Sequence, residues 1–186
     1  MSTTSRSKAL WNRRPKIIVM GLGDFIFRDD GVGVHAVRRF QQLKPSPCLA
    51  VEVGTSILDT VRMIESADRI LAFDSIELGG PPGSVYVLRV QDILRKEKYN
   101  MLRDMRLIGI LQSILHPPSE VVIVGAEPQT TDWGTELSPA LDFAATVMVS
   151  TARKVIAKWH SLDSPHGMVD LASIIRDSRF EIRQVQ

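Results

Sequence analysis

Two neighbouring carboxylates, Asp29 and Asp30, follow a glycine-punctuated stretch, Gly21-Leu22-Gly23, and a third, Asp74, closes an apolar run further along the chain. Carboxylates brought to one place can hold a divalent cation or activate water. Each also has a plainer use, since Asp at a helix start is an ordinary cap and Asp at a strand end often forms a turn. Gly31 and Gly33 would let another backbone approach closely, which suits a built site. Gly21-x-Gly23 after a strand also suits a dinucleotide, with Glu52 placed to meet a ribose. The third glycine of G-x-G-x-x-G, however, would fall on Ile26, and Asp29 and Asp30 would repel a pyrophosphate at the helix start. No G-K-[ST] follows, so a P-loop is excluded. Neither a Ser-His-Asp nor a Cys-His arrangement is evident. Cys48, in a Pro-Ser-Pro-Cys stretch, reads as structural, His35 as packed or exposed on a helix, and His160 and His166 as tail residues without a role.

The elements that must carry these carboxylates follow from periodicity. Ile17–Met20 is a short apolar run with β-branched residues, a buried strand that Gly21 and Gly23 break. Ala36, Val37, Phe40 and Leu43 predict a helix from near residue 31, ended by Lys44-Pro45-Ser46-Pro47. Residues 49–53 form a second strand stopped by Gly54, and Ile57, Leu58, Val61 and Ile64 mark the apolar face of a second helix. Residues 69–74 form a third strand. The two strand–helix–strand units predict a parallel sheet with right-handed crossovers. Residues 75–83 are a glycine- and proline-rich loop into a fourth strand, 84–88. That loop is too short for a crossover, so the fourth strand is expected antiparallel to its neighbour. A helix through Met105, Ile108, Leu111, Ile114 and Leu115 leads to a fifth strand at 120–124. Ser138 as N-cap and Pro139 at the first helical position begin a long helix to about Trp159. The expected architecture is an α/β three-layer sandwich. Its five-stranded sheet is mixed but mostly parallel, with helices on both faces. In such a doubly wound order, Asp30 and Asp74 fall on one edge, outside the carboxyl ends of the strands.

Bulk properties fit that frame. A chain of 186 residues is long enough for one α/β domain with a substantial core, assigned to 16–159, between tails at 1–15 and 160–186. The second tail has at most a short helix around Met168–Ile175, and Trp11 is free to pack back from the first. The net charge of +2 gives little reason to expect nucleic acid. The basic residues Arg6, Lys8, Arg13, Arg14 and Lys16 read as a solvated terminus. No secretory signal and no run of about 18 apolar residues is seen, so no membrane insertion is expected. A single cysteine, Cys48, rules out an internal disulfide and fits a reducing cytoplasm.

The stretch Gly21-Leu22-Gly23-Asp24-Phe25-Ile26-Phe27-Arg28-Asp29-Asp30-Gly31-Val32-Gly33 resembles the G-x-G-N-x-x-x-x-D-[DE]-G-x-G signature of the hydrogenase maturation endopeptidases. The likeness continues through Gly54-Thr55, Phe73-Asp74-Ser75, Pro82-Gly83-Ser84-Val85 and Val124-Gly125-Ala126-Glu127-Pro128. It implies an endopeptidase that removes the C-terminal extension of a nickel-iron hydrogenase large-subunit precursor once nickel is inserted. Asp30 and Asp74 would then be its metal-binding and catalytic carboxylates, with Asp24, Gly54 and Thr55 shaping the cleft. The nickel would come with the substrate, and the protein would act as a cytoplasmic monomer. The family's third ligand, a histidine, corresponds to Arg106 in one register and to Asp104 in another, and Asp24 stands where the family has asparagine. A non-catalytic relative that only binds the precursor, or a nucleotide-binding α/β protein, are the alternatives.

Overall fold

The computed structural model describes residues 16–44, 48–91 and 106–162. The tail 1–15, the region around Met168–Ile175 and the candidate Asp104 lie outside the described residues. Five strands, β1 (Ile17–Leu22), β2 (Cys48–Gly54), β3 (Arg69–Ser75), β4 (Val85–Arg89) and β5 (Glu120–Ala126), make one sheet in the order β2-β1-β3-β5-β4. The β1–β2, β1–β3 and β3–β5 pairs are parallel and β4 runs antiparallel to β5, giving the mixed, mostly parallel sheet expected. β1, β3 and β5 are buried along nearly their whole length, as strands covered on both faces must be.

Helices cover both faces. α1 (Val32–Gln42) and α4 (Pro139–Leu162) pack on one side, where Val32, Ala36, Val37, Phe40, Leu141, Ala145, Met148 and Trp159 meet Ile17, Val19 and Phe73. The Phe40 and Phe73 rings meet edge-on at 6.1 Å. α2 (Val61–Glu65) and α3 (Arg106–Ser113) cover the other side, with Ile64, Leu107, Ile108 and Leu111 against Ile18, Met20 and Ile123.

Several boundaries differ from the periodicity reading, each for a local reason. Gly21 does not break β1 but lies inside it. A Cβ there would come within 2.4 Å of a Val37 methyl, so the glycine sets how closely α1 can lie on the strand. The turn is made by Gly23, at φ +98°. The helix expected from residue 31 opens with a 3-10 turn, Arg28–Gly31, and α1 ends at Gln42, leaving Leu43 exposed. The second helix opens with a 3-10 turn (Ile57–Thr60) before the short α2. Thr60 Oγ1 donates to the Ile57 carbonyl at 2.7 Å, and Leu58, expected on the apolar face, is 76% exposed. α3 stops at Ser113, so Leu115 points to solvent. α4 continues three residues beyond Trp159 and takes in His160, which belongs to a helix and not to a tail.

Candidate active site

The strand order places the candidate site. The chain leaves β1 for β2 on one side, and β3 lies on the other side of β1, so the sheet's topological switch point falls between β1 and β3. Open α/β sheets leave a crevice there, outside the carboxyl ends of the strands. Asp30 follows β1 in the 3-10 turn, and Asp74 is the next-to-last residue of β3, one beyond the Gly21–Phe73 pair. Both are half-buried. Asp30 Oδ2 accepts from the Asp24 amide at 2.7 Å and Oδ1 from the Ser75 hydroxyl at 2.7 Å. Asp74 Oδ1 accepts from the Ser75 amide at 3.0 Å. The two carboxylates are therefore joined through one residue, Ser75.

Glycines make the crevice narrow. A Cβ on Gly23 would lie 1.8 Å from the Asp30 carbonyl oxygen and 3.7 Å from Asp74 Oδ1, so only a glycine backbone passes between them. A Cβ on Gly33 would meet the Phe73 and Leu22 carbonyls at 2.3 and 2.4 Å, which is why the first turn of α1 can sit directly over the ends of β1 and β3. Gly54, at φ +57°, lies beside the same loop, and a Cβ there would stand 3.6 Å from the Gly23 carbonyl.

Asp29 has a different task. It is fully buried, and the four donors to its carboxylate lie 100–109 residues further along the chain. Oδ2 accepts from the Gln129 and Thr130 amides at 2.9 and 3.1 Å and from the Ser138 hydroxyl at 2.8 Å, and Oδ1 accepts from the Ser138 amide at 2.7 Å. It caps no helix of its own. Ser138 does cap α4, its Oγ accepting from the Leu141 amide at 3.4 Å while its proton goes to Asp29. The loop before Asp30 is stitched to the same segment. The Arg28 amide reaches the Gly134 carbonyl at 2.8 Å and the Gly134 amide reaches the Ile26 carbonyl at 2.9 Å. The Phe27 and Trp133 rings lie 4.8 Å apart, with Trp133 74% exposed. These contacts hold Arg28 at φ +46°, a left-handed conformation costly for a residue with a Cβ.

A second buried carboxylate fixes the loop after Asp74. Glu127, 6% exposed, accepts from the Leu78 amide at 2.9 Å, the Gly79 amide at 3.0 Å and the Tyr86 hydroxyl at 2.9 Å. Burial first, then the hydrogen bond to Glu127 and its negative charge, push the Tyr86 phenol above its ordinary 10.0. The folded state then holds this proton more tightly than the unfolded chain does. Its stabilisation is complete below the unfolded value and is lost as pH rises through the folded one. Tyr86→Phe is expected to flatten the alkaline fall in stability, read by urea unfolding on either side of pH 10.0, while costing about 1 kcal/mol at neutral pH from the missing donor.

The remaining candidates lie elsewhere. Asp24 Oδ1 accepts from the Ile26 amide at 3.1 Å and so closes its own turn. Cys48 begins β2, at the edge of the sheet opposite the carboxylates, and burial pushes its thiol up, away from the nucleophilic thiolate. His35 stacks on Phe25 at 5.0 Å, and its Nε2 lies 3.0 Å from the Thr135 carbonyl, which assigns the proton to that nitrogen. Burial foremost lowers its pKa. Arg106 opens α3. Among the described residues, no group of three His, Cys, Asp or Glu side chains could hold a metal ion. Two hard carboxylates alone do not make a resident nickel cage. They suit a metal whose other ligands arrive with it.

The chain is thus a doubly wound α/β protein with a pair of carboxylates, joined through Ser75, at the switch point of its sheet. A family profile described as "HycI: Hydrogenase maturation protease" matches residues 34–155, a span that includes Asp74 and Ser75. The chain belongs to the hydrogenase maturation protease family. It is 28% identical over 152 residues to the hydrogenase expression/formation protein HupD of Bradyrhizobium diazoefficiens, covering 77% of this chain and 79% of that one. It is 26% identical to a hydrogenase 2 maturation peptidase from Thaumarchaeota archaeon SCGC_AB-539-E09, whose crystal structure matches with a TM-score of 0.61 over 76% of this chain and 97% of the other. The hydrogenase maturating endopeptidase HybD of E. coli, at 19% identity, shares the fold with a TM-score of 0.66 over 77% and 93% of the two chains.

Proposed function

We propose that this protein removes the C-terminal extension of a nickel-iron hydrogenase large-subunit precursor after nickel insertion, with Asp30 and Asp74 meeting the precursor's nickel. The observation that carries the reading is the carboxylate pair joined through Ser75 at the switch point, in a chain of this family. The nickel is part of the substrate. Held between the carboxylates and the precursor's own ligands, it places the scissile peptide in the crevice and polarises its carbonyl or a water. The Gly23 and Gly54 backbones shape that crevice. Specificity then rests on a folded, nickel-loaded precursor, so a short peptide is a poor substrate. The protein acts in the cytoplasm as a monomer that engages the precursor transiently.

The absence of a third ligand among the described residues favours a second reading, a relative that holds the precursor without cutting it. Incubation with candidate nickel-loaded precursors, followed by intact-mass measurement, separates the two. Loss of a defined C-terminal segment only from nickel-loaded precursor is the expected result. A stable complex with unchanged mass across well-matched precursors would replace the protease reading with the binding one.

A further inference from the structure

Ser75 is not among the residues that the motif comparison assigns a role, yet it touches both carboxylates. We propose that Ser75 is the positioning residue of the pair, setting the orientation in which Asp30 and Asp74 receive the precursor's nickel. The inference rests on the function proposed above and adds a residue to it. Ser75 ends β3, where it pairs with Ala126 of β5, and the next amide, Ile76 N–H, continues onto the Ala126 carbonyl at 2.9 Å. Its backbone is therefore fixed by the sheet on which Asp74 also sits. From that base its amide donates to Asp74 Oδ1 at 3.0 Å and its hydroxyl to Asp30 Oδ1 at 2.7 Å.

The hydroxyl bond, at 2.7 Å, is well formed. It spans 45 residues of sequence, so it is not the local side-chain-to-backbone turn that serine commonly makes. Each carboxylate oxygen can accept two bonds. On Asp30, Oδ1 takes Ser75 and Oδ2 takes Asp24, and each oxygen keeps an acceptor position for a cation. The Ser75 hydroxyl is spent on Asp30, a carboxylate that the proposed function commits to the nickel and not to proton abstraction, so the residue acts through the carboxylates and touches neither metal nor peptide.

The test uses the full chain with nickel-loaded and nickel-free precursor, comparing wild type with Ser75→Ala, Ser75→Thr, Asp30→Ala and Asp74→Ala. Loss of a hydrogen-bond donor that orients a metal-binding side chain typically changes metal affinity or activity about 10–100-fold. Ser75→Ala is expected to weaken binding and processing of nickel-loaded precursor by about that factor, leave binding of nickel-free precursor unchanged, and melt within a few degrees of wild type. Ser75→Thr, which keeps the hydroxyl, is expected to restore most of the loss. Equal losses with both precursors would overturn the proposal and mark Ser75 as structural. Wild-type behaviour of Ser75→Ala beside inactive Asp30→Ala and Asp74→Ala would also overturn it, while leaving the proposed function standing. Normal processing by the two aspartate variants would take both carboxylates out of the site, and the positioning role with them, while the processing itself would stand.

Discussion

Asp29→Ala is expected to lose on the order of 5 kcal/mol of stability, although the side chain stands outside the crevice. The change strips the acceptor from three backbone amides and one hydroxyl in a fully buried position. A buried donor left unpaired costs about 1–3 kcal/mol, which applies in full to the two on Ser138 and less to the part-buried Gln129 and Thr130 amides. Set against the roughly 5–15 kcal/mol that holds a typical domain together, that is enough to unfold a marginal one. Asp29→Asn sharpens the result. The best orientation of the amide keeps its oxygen on Gln129, Thr130 and the Ser138 hydroxyl, and turns its NH2 against the Ser138 amide. One donor then faces another, at a cost of about 1–3 kcal/mol. Urea unfolding of both variants should rank wild type above asparagine and asparagine above alanine. An alanine variant as stable as wild type would show that the buried carboxylate is not what holds the two segments together.

One residue along, the expectation reverses. Asp30→Ala and Asp74→Ala should fold, because the groups they release sit in a half-buried crevice that water can enter. Their effect should appear in processing. Removing one partner from a close charged contact costs about 2–5 kcal/mol, or roughly thirtyfold to several thousandfold in rate or affinity. The double variant should lose less than the sum of the two, since both groups share Ser75 and would share one cation. Rates on nickel-loaded precursor, measured beside melting curves, check both statements. Near wild-type processing by either single variant would remove that carboxylate from the site.

The contrast between Asp29 and Asp30 shows where sequence reading reaches and where it stops. The strands, their directions and the edge shared by Asp30 and Asp74 follow from periodicity and connection length, which are local signals, and the family motif points to the same pair; the position of β5 between β3 and β4 is set only in the assembled sheet. The antiparallel β4 is legible for the same reason, since a nine-residue loop admits no crossover. The role of Asp29 is not legible as a cap, because its partners lie 100–109 residues away and leave no pattern near it. Ser75 is visible in the sequence only as the residue after an aspartate, and its link to Asp30 exists only once β3 lies beside β1. Apolar spacing misleads at Leu58, where Thr60 bonds back to Ile57 and tightens the turn, carrying the leucine out to solvent. Glu127 stands within a family-like stretch, yet its contacts with Leu78, Gly79 and Tyr86 depend on the sheet being assembled.

The long reach of Asp29 also bears on when the protein becomes competent during its own synthesis. β1, α1, β2 and β3 can pair as soon as residue 75 is available, but the donors that seat Asp29 arrive only with Gln129, Thr130 and Ser138. Until then the loop carrying Asp30 has no Gly134 strand partner and no fixed left-handed Arg28. Closing a loop of that length is entropically slow, and contacts this distant are made late. A nascent chain would thus present a partly formed sheet well before it presents an ordered carboxylate pair. The site would be completed only by residues from the final third of the polypeptide.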